Sequence, residues 1–278
     1  TMHTPILPFH FRLVSLVRLP GAAGREVMNE AVLYHKDAQI TACWTSRHVD
    51  IRLKRGCCVA LRGACFHQLR NGRLPVSRLE LIDKPIPAIN PFHTIPPTWL
   101  ADRDAVQRAA MLWDRMGRPL QHLFNAVMWE GGRFYRYVTG PVGCSDYPWE
   151  PGRNFRHAVA VAEQAAKLSS GLSDISGQVL IAAALLHDAG KADDYRLSPD
   201  GYVLSERGYW VGYQHTILEW LAVARTKVIL PDAQYLALVH ALIARRHLET
   251  RTNSSIEATL LATADRLSRE PVVDLLVR

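Results

Sequence analysis

The residues best suited to chemistry stand in Leu185-Leu186-His187-Asp188-Ala189-Gly190-Lys191. They close the apolar run from Val179 to Leu186, which is long enough for a buried helix. A His-Asp pair then stands where core residues would be expected. Neither side chain belongs in an apolar interior without a partner, and a bound cation satisfies both. A neutral imidazole and a carboxylate on one turn can hold one metal ion or bridge two. Lys191 follows one turn later, placed to meet a phosphate oxygen. By itself such a pair could be no more than a helix end with polar caps.

Further residues of the ligand type come in order along the chain. His157 lies upstream in Phe155-Arg156-His157-Ala158-Val159-Ala160-Val161-Ala162, a helical apolar pattern. His215 follows in Tyr213-Gln214-His215-Thr216-Ile217-Leu218, His240 in Leu236-Ala237-Leu238-Val239-His240-Ala241-Leu242-Ile243, and His247 falls on the same helical face as His240. Asp265 lies in Leu260-Leu261-Ala262-Thr263-Ala264-Asp265-Arg266. Any one of these alone reads as a satisfied core residue. The order His, His-Asp, His, His, Asp is hard to explain that way.

That order resembles the HD-domain superfamily of metal-dependent phosphohydrolases, over about residues 140–270. The resemblance implies His157, His187, Asp188 and Asp265 as primary metal ligands. It implies His215, with His240 or His247, for a second metal. One or two divalent ions are expected, and imidazole donors favour Mn, Fe, Ni or Zn over Mg. Asp188 and Lys191 are the expected catalytic pair, with Lys191, Arg245 and Arg246 clamping phosphate oxygens.

The elements that must position these residues divide the chain. Its 278 residues allow one large or two modest domains, and 48% hydrophobic against 21% charged residues can bury a sizeable core. No stretch approaches the ~18 uncharged apolar residues of a membrane helix. The N-terminal residues lack the basic-then-apolar pattern of a signal peptide. Cys43, Cys57, Cys58, Cys65 and Cys144 are odd in number and lack metal-knuckle spacing, so reduced, buried thiols in a cytoplasmic protein are expected.

Residues 10–83 read as five strands: Phe11 to Leu19, Val27 to His35, Gln39 to Thr45, Cys57 to Leu69, and Pro75 to Ile82. Asn71-Gly72 is a hairpin-turn signal. Five short strands in so short a stretch suit a small closed barrel, with the OB-fold the commonest candidate. Residues 1–90 hold 13 Lys/Arg against 6 Asp/Glu, while residues 91–278 hold 20 of each, so the whole excess of +7 lies in the first third. Arginine forks onto phosphate and stacks on bases. Arg47, Arg52, Arg62 and Arg70 could follow a nucleic-acid backbone, with Trp44, Tyr34, Phe66 and His67 offering stacking faces. A solvated basic surface would look the same in composition.

A stiff proline-rich linker, residues 84–98, is followed by a helical remainder, residues 99–278, with helices from Asp102 to Arg115 and Pro119 to Trp129. The expected fold is α+β and multidomain: an OB-like barrel over residues 1–83, the linker, and an all-α HD domain. That combination resembles the bacterial 3′-to-5′ exoribonucleases in which an OB-fold precedes an HD domain, with the YhaM-like proteins nearest. The stretches Gly152 to Ala162, Ala184 to Lys191 and Val203 to His215 match that layout. The chain departs from it at Tyr147-Pro148-Trp149, where the family has a His-His pair. It departs again at Gln214, where a Gly-His step is usual, and at Arg245-Arg246-His247-Leu248, where His-His-Gly is usual.

The resemblance implies a 3′-5′ exonuclease on single-stranded RNA or DNA, held by the barrel and hydrolysed at the HD centre. Two alternatives remain open. One is an HD phosphohydrolase acting on nucleotides. The other is a non-catalytic nucleic-acid binder, of the kind found with mobile elements, whose HD site has diverged. No membrane partner is expected, and the oligomeric state is not legible.

Overall fold

A computed structural model describes residues 7–21, 26–143, 150–244 and 255–269. The first part is a mixed sheet of β1 (Phe11–Pro20), β2 (Val27–His35), β3 (Ala38–Ser46), β4 (Cys58–Arg62), β5 (Arg73–Pro75) and β6 (Arg78–Leu81). Strand order is β5-β3-β2-β1-β4-β6. Along β2 the side chains alternate, with Ala31, Leu33 and His35 inward, as one buried face requires. The register of β1 shifts between Leu13 and Ser15, and such a bulge adds twist and bends the strand. The sheet curls until β3 and β6 touch, giving a six-strand half-barrel around Phe11, Leu13, Leu33, Val59 and Leu74.

Three details differ from the expected strands. The expected strand over 57–69 ends at Arg62, because Gly63 turns left-handed (φ 62°) and a 3-10 turn covers Phe66–Gln68. Asn71-Gly72 does make a tight turn, with Arg70 and Arg73 exchanging backbone hydrogen bonds of 3.1 and 2.9 Å. The strand leaving it, however, runs parallel to β3. The expected strand over 75–82 is split. Val76 N donates to Cys43 O (3.0 Å) and Ser77 N to Arg62 O (2.8 Å), so the chain crosses from β3 to β4 within two residues.

The proline-rich stretch is not a bare spacer. Phe92 and Ile95 are fully buried in the core of the helical part, and Asn90 Nδ2 donates to Ala110 O and to Asp114 Oδ1. Buried Arg12 ties sheet to helices: Nε donates to Thr94 Oγ1 (3.0 Å), Nη1 to Gly56 O (2.8 Å), and the guanidinium lies 4.5 Å from the Phe134 ring centre. Beside it three histidine rings meet, His10–His35 at 5.0 Å and His35–His93 at 6.2 Å between centroids. Burial pushes the imidazole of His10 down to about 4, and burial lowers those of His35 and His93 as well.

The second part is helical: α1 (Arg103–Asp114), α2 (Arg118–Met128), α3 (Arg133–Thr139), α4 (Arg153–Leu168), α5 (Asp174–Leu186), α6 (Lys191–Asp194), α7 (Glu206–Trp210), α8 (Tyr213–Arg225), α9 (Asp232–Ala244) and α10 (Ile256–Ser268). Asp102 caps α1 by accepting from Ala105 N, where Asp at an N-cap satisfies an otherwise orphaned amide. Helix α5 is the centre: Val179 to Leu186 are buried without a polar face, and α4, α9 and α10 pack around it. A hairpin of β7 (Tyr195–Ser198) and β8 (Gly201–Leu204) interrupts the helices, an element the sequence pattern did not reveal. No described helix is long and apolar enough to cross a membrane. Of the described cysteines, all free, Cys58 is buried, whereas Cys43, Cys57 and Cys65 are only partly covered rather than buried.

Candidate metal centre

Three helices bring one donor each to a common point. His157 sits in the second turn of α4, His187 is the residue that ends α5, and Asp265 lies in α10. Their donor atoms all lie within 4.8 Å of one another, and no other group of three described His, Cys, Asp or Glu residues meets that separation. His157 Nε2 is 3.1 Å from Asp265 Oδ1, and the His157 and His187 rings are 5.3 Å apart at 67°. His187 Nδ1–H donates to Ala184 O at 2.6 Å. That bond leaves the Nε2 lone pair for coordination, the usual way in which an outer contact fixes a ligand imidazole. Two imidazoles and a carboxylate, nearly buried, fit a divalent transition-type cation.

Asp188 stands against this group. Its Oδ2 is 3.6 Å from His187 Nε2 and accepts from Lys191 Nζ at 2.7 Å, with both side chains buried. The pair is therefore already compensated, as buried charges must be. The Lys191 ammonium also lies 5.1 Å from the ring centre of Tyr213. Gly190 is required here by space: a Cβ would come within 2.1 Å of Tyr213 O.

Several positioning residues were not singled out in the sequence. Asn154 Nδ2 donates to Asp188 O (3.3 Å), the buried Tyr137 hydroxyl to Leu185 O (2.8 Å), and Arg269 Nη2 to Asp265 Oδ2 (3.1 Å). Burial, and then the Asp188 charge, drives the Tyr137 hydroxyl upward, so it stays a donor. Asn154 precedes His157 by three residues on one helical face, a signal that could have found it. Tyr137 had none, since its contact exists only through packing.

The other candidates lie elsewhere. His215 is exposed on the first turn of α8 and donates from Nδ1 to Val211 O (2.9 Å). His240 is half-buried on α9, with Nε2 accepting from Ser255 N (3.2 Å). Neither belongs to the three-donor group. Arg245, Arg246 and His247 lie outside the described residues, as do Tyr147, Pro148 and Trp149.

On the sheet, Arg52 pairs with Asp50 (2.8 Å) and Arg62 with Glu80, while exposed Arg47 and Arg70 form no ion pair among the described residues. Trp44 and Phe66 pack against the sheet's core, and only His67 of the expected stacking faces is largely exposed. Tyr34 turns toward the helices, where Arg103 lies 6.0 Å from its ring centre.

No curated protein and no solved structure gives a significant match to the chain. Residues 154–270 match the family described as HD domain, an interval that begins just before His157 and closes just after Asp265. The helical part of the chain therefore carries an HD domain, a family whose members are typically metal-dependent phosphohydrolases.

Proposed function

We propose that the chain is a metal-dependent phosphodiesterase that removes nucleotides from the 3′ end of single-stranded nucleic acid, the half-barrel holding the strand. The convergence of His157, His187 and Asp265 beside the buried Asp188–Lys191 pair carries this reading. Bound there, a divalent cation supplies Lewis acidity and a water of lowered pKa. The protein's own residues do the rest. His187 is oriented by Ala184 O, Asp265 is steadied by Arg269, and Lys191 holds a positive charge where phosphate oxygens would be met. The Arg-rich first third, with Arg47 and Arg70 outside any ion pair among the described residues, supports a polyanionic substrate.

A second reading, hydrolysis of free nucleotides, draws support from the carboxylates that already neutralise Arg52, Arg62 and Arg73. That pairing weakens the hold of the sheet on a long polyanion. The test is elemental analysis of the purified full chain, followed by incubation with labelled single-stranded RNA, its DNA counterpart and mononucleotides in added Mn. Bound transition metal with stepwise shortening from the 3′ end is the expected result, and the strand that shortens identifies the substrate. Turnover of mononucleotides alone would replace the proposal with the second reading. Absence of both metal and turnover would overturn the two together and leave a non-catalytic binder.

A further inference from the structure

Two large aromatic side chains stand in water on the segment that joins α6 to α8. Tyr209 is 69% exposed and Trp210 74% exposed. They close helix α7, a five-residue element that buries none of its own side chains. Their rings stand edge to face, 4.8 Å apart at 89°, and so form a corner. Large aromatics left this open are uncommon on a folded surface and mark contact sites when they cluster. Leu197 (64%) and Leu204 (41%), on the neighbouring hairpin, extend the apolar surface.

The segment that presents this corner is anchored to the HD turn at both ends. On the near side, Ser205 N donates to Asp194 O (2.7 Å) and Ser205 Oγ to Asp193 O (2.7 Å), residues of the helix that Lys191 begins. Gly208 lies so close that a Cβ would meet Asp194 O at 2.4 Å. On the far side, Tyr213 carries the ring beneath Lys191, and its carbonyl packs on Gly190. Trp210 is three residues from Tyr213, a span of at most about 11 Å. The corner thus rides on a segment fastened on both sides to the turn that carries Asp188 and Lys191.

We infer that Tyr209 and Trp210 form a nucleobase-binding subsite that stacks an unpaired base of the substrate beside the HD centre. This rests on the phosphodiesterase reading above and adds to it the class of group recognised. A base laid on one ring meets the edge of the other, an arrangement favoured by the aromatic quadrupole. Stacking of this kind tolerates any base, so the subsite would grip a strand without reading its sequence. It also lies on the helical part, so base recognition does not depend on the sheet.

Two substrates separate the subsite from the chemistry: an oligonucleotide labelled at its 5′ end and a labelled strand of the same length whose sugars carry no bases. In the full chain with added Mn, Trp210→Ala is expected to lower kcat/KM on the oligonucleotide by about tenfold more than on the base-free strand. Trp210→Phe should recover most of that loss, and Tyr209→Ala should show a smaller one. Equal losses on both substrates, or none on either, would overturn the subsite. If the wild type hydrolyses neither, the phosphodiesterase reading fails, and binding decides the subsite separately. A fluorescein-labelled oligothymidylate should then bind Trp210→Ala about tenfold more weakly than wild type, and equal binding would overturn it. A change in sedimentation on Trp210→Ala with binding unaltered would instead assign the corner to a subunit contact.

Discussion

The half-barrel and the helical part handle polar residues in opposite ways. Apart from Arg12 at the seam, the sheet's charges are outside: Arg52 with Asp50, Arg62 with Glu80 and Arg73 with Glu30 are ion pairs at the surface. Such pairs contribute about 0–1 kcal/mol each. In the helical part His187, Asp188, Lys191 and Asp265 are buried, and every one is held by a named partner. Buried polar groups cost several kcal/mol unless satisfied, so they are retained only where the fold over-determines them. The sheet's charge is therefore adjustable, whereas the helical cluster is not.

The largest expected effect tests the buried side. Asp265→Asn should lower metal-dependent hydrolysis by at least about 100-fold, since loss of an outer partner alone costs 10–100-fold. Circular dichroism should remain native, because the amide keeps the shape. Retained activity with retained metal would remove Asp265 from the ligand set. Next, Lys191→Met leaves the Asp188 carboxylate buried without its cation, which should cost about 3–5 kcal/mol in urea denaturation. Saturating Mn or Zn should recover part of that loss. A stability loss indifferent to metal would show that Asp188 does not face the ion.

Two predictions probe the seam where the two regions meet. Arg12→Met removes the donor to Gly56 O and Thr94 Oγ1 and the cation–π stacking on Phe134, and is expected to cost about 2–4 kcal/mol. A cost below ~1 kcal/mol would mean the two parts are joined by packing alone. The second concerns acid. His10 is held down to about 4 by burial, then by His35, Arg12 and His93, while Lys36 adds positive charge at His35 and His93. Asp37 and Asp114 offset this only in part. A depressed imidazole contributes stability above its unfolded pKa near 6.5 and loses it as the unfolded chain takes up the proton. Stability should therefore fall between pH ~6.5 and ~4, by up to roughly 3 kcal/mol, and level off below. His10→Phe should flatten that slope in thermal melts, and an unchanged slope would move the effect elsewhere.

The smallest effect lies on the sheet. Replacing Arg47 and Arg70 with Ala should reduce the salt slope of single-strand binding by ~0.7 for each phosphate no longer neutralised. The same change at Arg52 and Arg62 should reduce it less, since their carboxylates already hold them. Equal slopes would erase the distinction between paired and unpaired arginines.

Much of this was legible in advance. The strands β1 to β3, the helix that starts at Asp102 and the helix that follows it come from alternation and apolar periodicity, which neighbouring residues decide. The break after Arg62 was not, because the apolar pattern continues past Gly63 while its backbone turns. Nor was the β7–β8 hairpin, whose short strands lack a buried face to alternate against. Of the ligand-type residues, His157, His187 and Asp265 meet, and His215 and His240 stand outside that group with hydrogen bonds of their own.

The sequence by itself determined the order of ligand-type residues, the apolar helix that presents His187 and Asp188, and the concentration of positive charge in the first third. These depend on periodicity and composition over a few turns. Only the tertiary structure decided which donors share a point, since His157 and Asp265 are 108 residues apart and meet through the packing of α4 and α10 on α5. It also decided that Asp188 is neutralised by Lys191 and that half of the expected nucleic-acid-binding arginines are paired. Electrostatic partners are set by distance in space, which no local pattern encodes.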